Sequence, residues 1–337
     1  MPEASLVFSS HRPETLPFAA RRMEGHQAIF LEEPPTEGFQ AMLDGALSIE
    51  DYLLAVDMEF PAFNQGMCRL LQDLHRKGKR IIQVEPFLEN LIGIHERFAE
   101  GGKPTDIARG TIEFEVYQAE KAATGALLKF YETATSGTFE ACVESVKAFA
   151  RADARRIKLR DVMRAEALAP LILNVHSAYV EAGFIHYALW RALKRELAER
   201  VTLKVVHLMG SVVRRLRGNR HALGPGDILT LLYVFHPRLE GESIDLLAAR
   251  SLIFAKLLEK AEMGTDTDPY PHTKDEVQTI HVIQGLSFQD CRRLFRQIRL
   301  TSTSDARALT AAYLRRRSPR GAPNKPTPQD LPDPSLK

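Results

Sequence analysis

Cysteine is scarce in this chain: there are three, Cys68, Cys142 and Cys291, and they stand far apart. Without a CxxC pair there is no zinc ribbon or dithiol redox motif, and no spacing suggests a disulfide framework. An excess of one charge is missing as well. The 45 Lys and Arg against 43 Asp and Glu leave a formal +2, so no global field demands nucleic acid or an anionic membrane as partner. No run of about 18 uncharged apolar residues occurs, which predicts no membrane span. The opening residues, MPEASLVFSSHRPE, lack the cationic segment and apolar stretch of a secretory leader. A cytoplasmic location is the expectation that follows.

Several catalytic and nucleotide-binding signatures are also lacking. Gly101-Gly102-Lys103 does not sit in the GxxxxGK[ST] frame of a P-loop. No GxGxxG follows the first apolar run, which removes the dinucleotide fingerprint. No GxSxG elbow is present, which argues against a serine α/β-hydrolase. There is no HExxH. The arginine clusters at Arg214, Arg215, Arg217 and Arg220, and at Arg292, Arg293, Arg296 and Arg299, read as solvated helix faces.

What is present is an α/β pattern. Residues 5–9, 27–31 and 80–84 are short apolar runs closed by polar or proline punctuation, as buried strands are. Helical periodicity lies between them, with Met67, Leu70, Leu71 and Leu74 on one stripe and Gly78 as its C-terminal stop. Strand–helix alternation predicts a mostly parallel sheet with right-handed crossovers. Residues at about 105–170 show no strand; apolar positions recur at three and four, with a break near Ser136-Gly137. The run 171–175 is read as a fourth strand leading into His176, residues 181 or 183 to 199 as a helix, and 201–208 as a fifth strand. Helices are expected at 226–234, 244–262, 274–283, 287–299 and 303–316, with a disordered tail from Ser318. The fold expected is therefore α/β: a core over 1–210 with a large helical insertion at about 105–170, a helical C-terminal region over 211–300, and a partly helical, then disordered, tail over 301–337.

In such a sheet, ligands bind beyond the carboxyl ends of the strands. That directs attention to Ser9, Ser10 and His11, to Glu32 and Glu33, to Glu85, and to His176 and Ser177. Imidazoles and carboxylates gathered there suit a divalent metal or acid–base chemistry. His186, near the start of a helix, is expected as a neutral imidazole, because the helix N-terminus disfavours imidazolium.

The order of these motifs resembles the superfamily that joins TraB/PrgY and GumN proteins, the Tiki proteases, the haem-binding ChaN proteins and the erythromycin esterases. Those families open with a strand ending in a GxxH-type motif, then a helix, then a strand ending in Glu. A later Arg-bearing helix leads to a strand and a second GxxH. Here the matching stretches are Phe8-Ser9-Ser10-His11, Ile29-Phe30-Leu31-Glu32, Leu159-Arg160-Asp161 and Gly183-Phe184-Ile185-His186. Phe8 replaces the first Gly, and either His176 or His186 takes the place of the late site histidine.

The resemblance implies a hydrolase of peptide or ester bonds, with a small-molecule or peptide substrate. It implies His11, Glu32, Arg160 and His186 as catalytic residues, and His11, Glu32, Glu85 and His176 as ligands of a Zn, Mn or Co ion. The alternative is a regulatory protein of the same fold that binds haem or another small ligand without catalysis.

Overall fold

Short, mostly apolar runs build the sheet. The computed structural model describes residues 1–56, 60–218 and 222–317. Among them five strands form: β1 (Glu3–Ser9), β2 (Ala28–Leu31), β3 (Arg80–Gln83), β4 (Ser177–Gly183) and β5 (Thr202–His207). They pair in parallel throughout, in the order β3-β2-β4-β1-β5. Between β1 and β2 lies α1 (Leu16–Glu24). Between β2 and β3 lie α2 (Phe39–Leu43), α3 (Ile49–Leu54) and α4 (Pro61–Arg76). The insertion before β4 holds α5 (Pro86–Ala99), α6 (Ile112–Ser136) and α7 (Phe139–Leu173), and α8 (Tyr187–Leu197) joins β4 to β5. After the sheet come α9 (Gly210–Arg217), α10 (Pro225–Phe235), α11 (Glu242–Leu257), α12 (Pro271–Gln284), α13 (Phe288–Ile298) and α14 (Thr303–Arg317). The tail expected from Ser318 lies outside the described residues.

Successive side chains on a strand point to opposite faces, and both faces of a parallel sheet are covered. Ala4, Leu6 and Phe8 of β1, Ala28 and Phe30 of β2, and Ala178, Val180 and Ala182 of β4 therefore pack with Leu168 and Ile172 of α7 and Leu189 and Leu193 of α8. Val7, Ile29, Leu31 and Tyr179 turn the other way, onto Met23, Met42, Leu71 and Leu74 of α1, α2 and α4. A third core lies off the sheet, where the first half of α7 packs on α10, α11 and α13 around Leu229, Ala248, Leu252, Ile253 and Leu294. The 35 residues of α7 make a rod of about 52 Å that belongs to both the sheet and this bundle. Glu14 ties α12 to the sheet: its buried carboxylate accepts the backbone N–H groups of His272 (2.9 Å) and Thr273 (2.8 Å) and the Thr273 hydroxyl.

The fourth strand is not where its apolar run suggests. Residues 171–175 are not a strand: α7 continues to Leu173, and β4 begins at Ser177. Leu168, Ile172 and Val175 are buried at intervals of four and three, so the apolar run continues a helical stripe. The actual strand, SAYVEAG, carries a buried Glu181 in its interior, which disguises it as a polar stretch. The helix expected from 181 or 183 starts at Tyr187 instead.

Candidate functional site

Neighbouring strands β1 and β4 send their connections apart. From β1 the chain passes through α1 on one face of the sheet to β2; from β4 it passes through α8 on the other face to β5. A crevice opens at carboxyl ends arranged in this way. The register sets Ser9 of β1 beside Gly183 of β4, and Val7 beside Glu181.

Glu32 continues the parity of Ala28 and Phe30, so its side chain turns toward α7 and α8, where two residues of α7 meet it. Arg160 Nη2 donates to Glu32 Oε1 at 3.1 Å, and its Nε lies 3.0 Å from Glu85 Oε2 in a second ion pair. Arg164, 1% exposed, donates its Nε to the Val84 carbonyl at 2.8 Å, with Glu32 and Glu85 at 3.9 and 3.7 Å. The Gly183 N–H donates to Glu32 Oε2 at 2.6 Å. His186 is clamped between two carboxylates, with Nε2 2.8 Å from Glu32 Oε1 and Nδ1 2.5 Å from Asp161 Oδ1. The second oxygen of Asp161 accepts the Leu189 N–H at 2.8 Å and so caps the first turn of α8.

The charges in this floor nearly balance. Burial alone would push the imidazolium of His186 down, but the Glu32 and Asp161 carboxylates hold its pKa at about 9. Burial would raise Glu32, yet His186, Arg164 and Arg160 together keep its carboxyl well below the usual range. Glu85, fully buried, is raised by burial in spite of the guanidiniums of Arg160 and Arg164. The neutral imidazole expected of His186 is thus corrected: two carboxylates outweigh the helix terminus, and both ring nitrogens are occupied.

The opposite parity builds the other wall. His11, exposed after β1, stacks on Phe63 of α4 with ring centroids 5.2 Å apart. Glu181 is buried; its Oε2 accepts the Glu32 N–H at 3.3 Å. Burial raises its carboxyl, His11 draws it back, and Glu33 pushes it up again. Glu33 accepts from Gln83 Nε2 at 3.0 Å. Arg12 lies over the Phe60 ring, 4.0 Å from its centroid.

Of the residues picked from sequence, the structure brings together Glu32, Glu85, Arg160 and His186, and leaves His11 exposed on Phe63, with its charge reaching the Glu181 carboxyl. It separates His176. That residue precedes β4, where its carbonyl accepts the Glu3 N–H at 3.1 Å, so it is exposed at the amino edge of the sheet. Sequence reasoning passed over Asp161, Arg164 and Glu181. For Asp161 and Arg164 the available signal was their place one residue and one turn beyond Arg160.

The expected metal set does not fit. His176 is at the wrong end of the sheet, and the oxygens of Glu32 and Glu85 face Arg160, Arg164, His186 and the Gly183 N–H. Two guanidiniums and an imidazolium would repel a divalent ion there. Among the described residues no group of three or more His, Cys, Asp or Glu side chains is arranged to hold a metal. A haem meets a similar difficulty in the apolar cavity of about 250 Å³ beside Ile185, whose wall of Phe130, Phe149, Phe254 and their neighbours offers no His, Cys, Met or Tyr to the iron.

No helix among the described residues is long and apolar enough to cross a membrane. No family model matches the chain, and no solved structure matches it. A protein of Archaeoglobus fulgidus, itself described as uncharacterized, is 33% identical over 291 residues, a match that covers 86% of this chain and 97% of that protein. With a third of the residues shared along nearly the whole of both, the chain belongs to the family of that archaeal protein.

Proposed function

We propose that the chain is a hydrolase of peptide or ester bonds, related in its site to the TraB, Tiki and erythromycin esterase group, with His11 activating water at the mouth of the crevice. The observation that carries this reading is an exposed imidazole at the mouth of the β1–β4 switch point, His11 stacked on Phe63, whose charge reaches the buried carboxyl of Glu181 above a floor that is already charge-compensated. His11 takes a proton from water as the oxygen adds to the carbonyl carbon. Arg160, with 23% of its side chain exposed, offers positive charge to the developing oxyanion. Collapse breaks the C–O or C–N bond, and the imidazolium returns its proton to the leaving alcohol or amine. Glu181 stabilises that imidazolium in between. Glu32 and His186 act as positioning residues, because their polar atoms are already committed to each other and to Arg160, Asp161 and Gly183. Three buried free thiols suit a reducing compartment such as the cytoplasm.

The test is turnover of a panel of nitrophenyl acyl esters and amino-acid nitroanilides. His11→Ala is expected to lower kcat/KM by about 10²- to 10⁴-fold with an unchanged melting temperature. A variant as active as the parent, or a parent that turns over none of the panel, sinks the reading. The apolar cavity beside Ile185 favours one alternative, a regulator that binds a small ligand without catalysis. Saturable ligand binding with no turnover would select it.

A further inference from the structure

A second concave site shares no residue with the crevice. Two adjoining depressions of about 530 and 390 Å³ lie between α7, α8 and the end of α10, with Lys158 and Val234 common to both. Six cations line them: Arg151, Arg155 and Lys158 from α7, Arg191 and Arg195 from α8, and Arg238 just after α10. No carboxylate lines either one. Helical spacing explains the rows, since residues three and four apart share a face, about 5–6 Å from one to the next along the axis.

Two of the six have partners at the margin, Arg151 with Glu240 and Arg195 with Glu196. Arg155, Lys158, Arg191 and Arg238 have no ion pair among the described residues. Like charges held this close repel each other, so the arrangement is unfavourable until an anion lies along it. It is also local, because the whole chain carries only +2. The floor is apolar, with Val162, Ala188, Ala192 and Val234, and ends in the half-buried Phe235, over whose ring Arg191 sits at 5.2 Å.

We propose that this groove binds single-stranded nucleic acid, with phosphates along the two basic rows and a base against Phe235. Six cations strung over three elements exceed what a lone phosphate engages. The concave apolar floor suits bases that a duplex would keep stacked inside, and a flat membrane surface would not enter it. Basic grooves with an aromatic platform bind single strands in this manner.

The experiment is fluorescence anisotropy of the full chain with a labelled 12-nucleotide oligo(dT) or oligo(U) at 50–200 mM KCl. Contact with about four phosphates predicts a slope of log K against log salt near −3, at about −0.7 per phosphate. The double variant Arg155→Glu/Lys158→Glu replaces exposed side chains, and circular dichroism checks its fold. It is expected to weaken binding at least tenfold and flatten the slope by about 1.4. The control Arg214→Glu/Arg215→Glu, with the same charge change on α9, is expected to stay within threefold of the parent. Phe235→Ala is expected to weaken binding severalfold without changing the slope.

The proposal is overturned by absence of binding at 50 mM KCl, by a double variant that binds like the parent, or by a control that weakens equally. Inorganic polyphosphate or anionic vesicles binding as tightly as the oligonucleotide, at equal anionic charge, would overturn it too. None of these readings involves turnover, so the crevice hydrolase stands or falls separately.

Discussion

The clamp on His186 makes stability depend on pH in a definite direction. In the folded chain the imidazolium is held at about 9 by Glu32 and Asp161, against 6.5 for a free side chain. A histidine whose folded value is raised contributes stability that is complete below pH 6.5 and lost as the pH rises through 9. The gap corresponds to about 3 kcal/mol, at about 1.36 kcal/mol for each pH unit. Urea unfolding at pH 6, 7, 8, 9 and 10, followed by fluorescence of the single Trp190, should show that decline. Trp190 suits the assay because it packs against the core shared by α7, α8 and the sheet. Glu276 contributes over a lower, overlapping window: burial and Asp227 push its carboxyl to about 8, so stability also falls between pH 4.5 and 8 as it ionises. His186→Gln separates the two. It should be less stable at pH 7 by about 3–5 kcal/mol, because Glu32 and Asp161 lose a charged partner. It should keep the Glu276 slope and lose the decline between pH 8 and 9.5. A parent whose stability is flat from pH 8 to 9.5, or a variant with the parent's slope there, would refute the clamp.

On the acid side, Glu32 has its folded value well below 4.5, so its share of stability is present above pH 4.5 and disappears as the pH falls further; an acid titration of Arg160→Met, which removes a cation beside Glu32, should unfold at higher pH than the parent. Glu14→Ala removes the acceptor of three donors at the head of α12 and should cost about 3 kcal/mol, with amide exchange at His272 and Thr273 accelerated most. Gly183→Ala should change stability by less than about 1 kcal/mol, since a Cβ there meets only His186 at 3.4 Å and Glu32 at 3.7 Å; a larger loss in a thermal melt would mean that the backbone at Gly183 has no room to adjust.

The parts of the fold that could be read from sequence were those where pattern and punctuation agree. Strands β1, β2 and β3 are short apolar runs followed by Ser-His-Arg-Pro, Glu-Glu-Pro-Pro and Glu-Pro, and each ends within a residue or two of its expected place. The break at Ser136-Gly137 divides α6 from α7 as its residues suggest. β4 was obscure for a physical reason. A carboxyl in the middle of a parallel strand contradicts the apolar pattern, and Glu181 is tolerated there because it faces the crevice and accepts the Glu32 N–H. The preceding run 171–175 looked more like a strand because a buried helix end and a buried strand share the same composition. That ambiguity also left the late histidine open. Only the register that ends β4 at Gly183 brings His186 to the carboxyl edge and leaves His176 at the other. Partners fixed by tertiary approach, such as Asp161 to His186 across 25 positions, leave no local trace.

The long α7 rod has a mechanical consequence. It carries Arg160, Asp161 and Arg164 into the crevice floor, Arg155 and Lys158 into the basic groove, and Cys142, Val143 and Ala150 into the C-terminal bundle. A stiff helix moves as one piece, so sliding by even a fraction of a turn would shift all three places together. Anything that tilted the bundle at Cys142 would be felt at Arg160 and Arg164, some 30 Å along the same axle at about 1.5 Å per residue, and through them at Glu32.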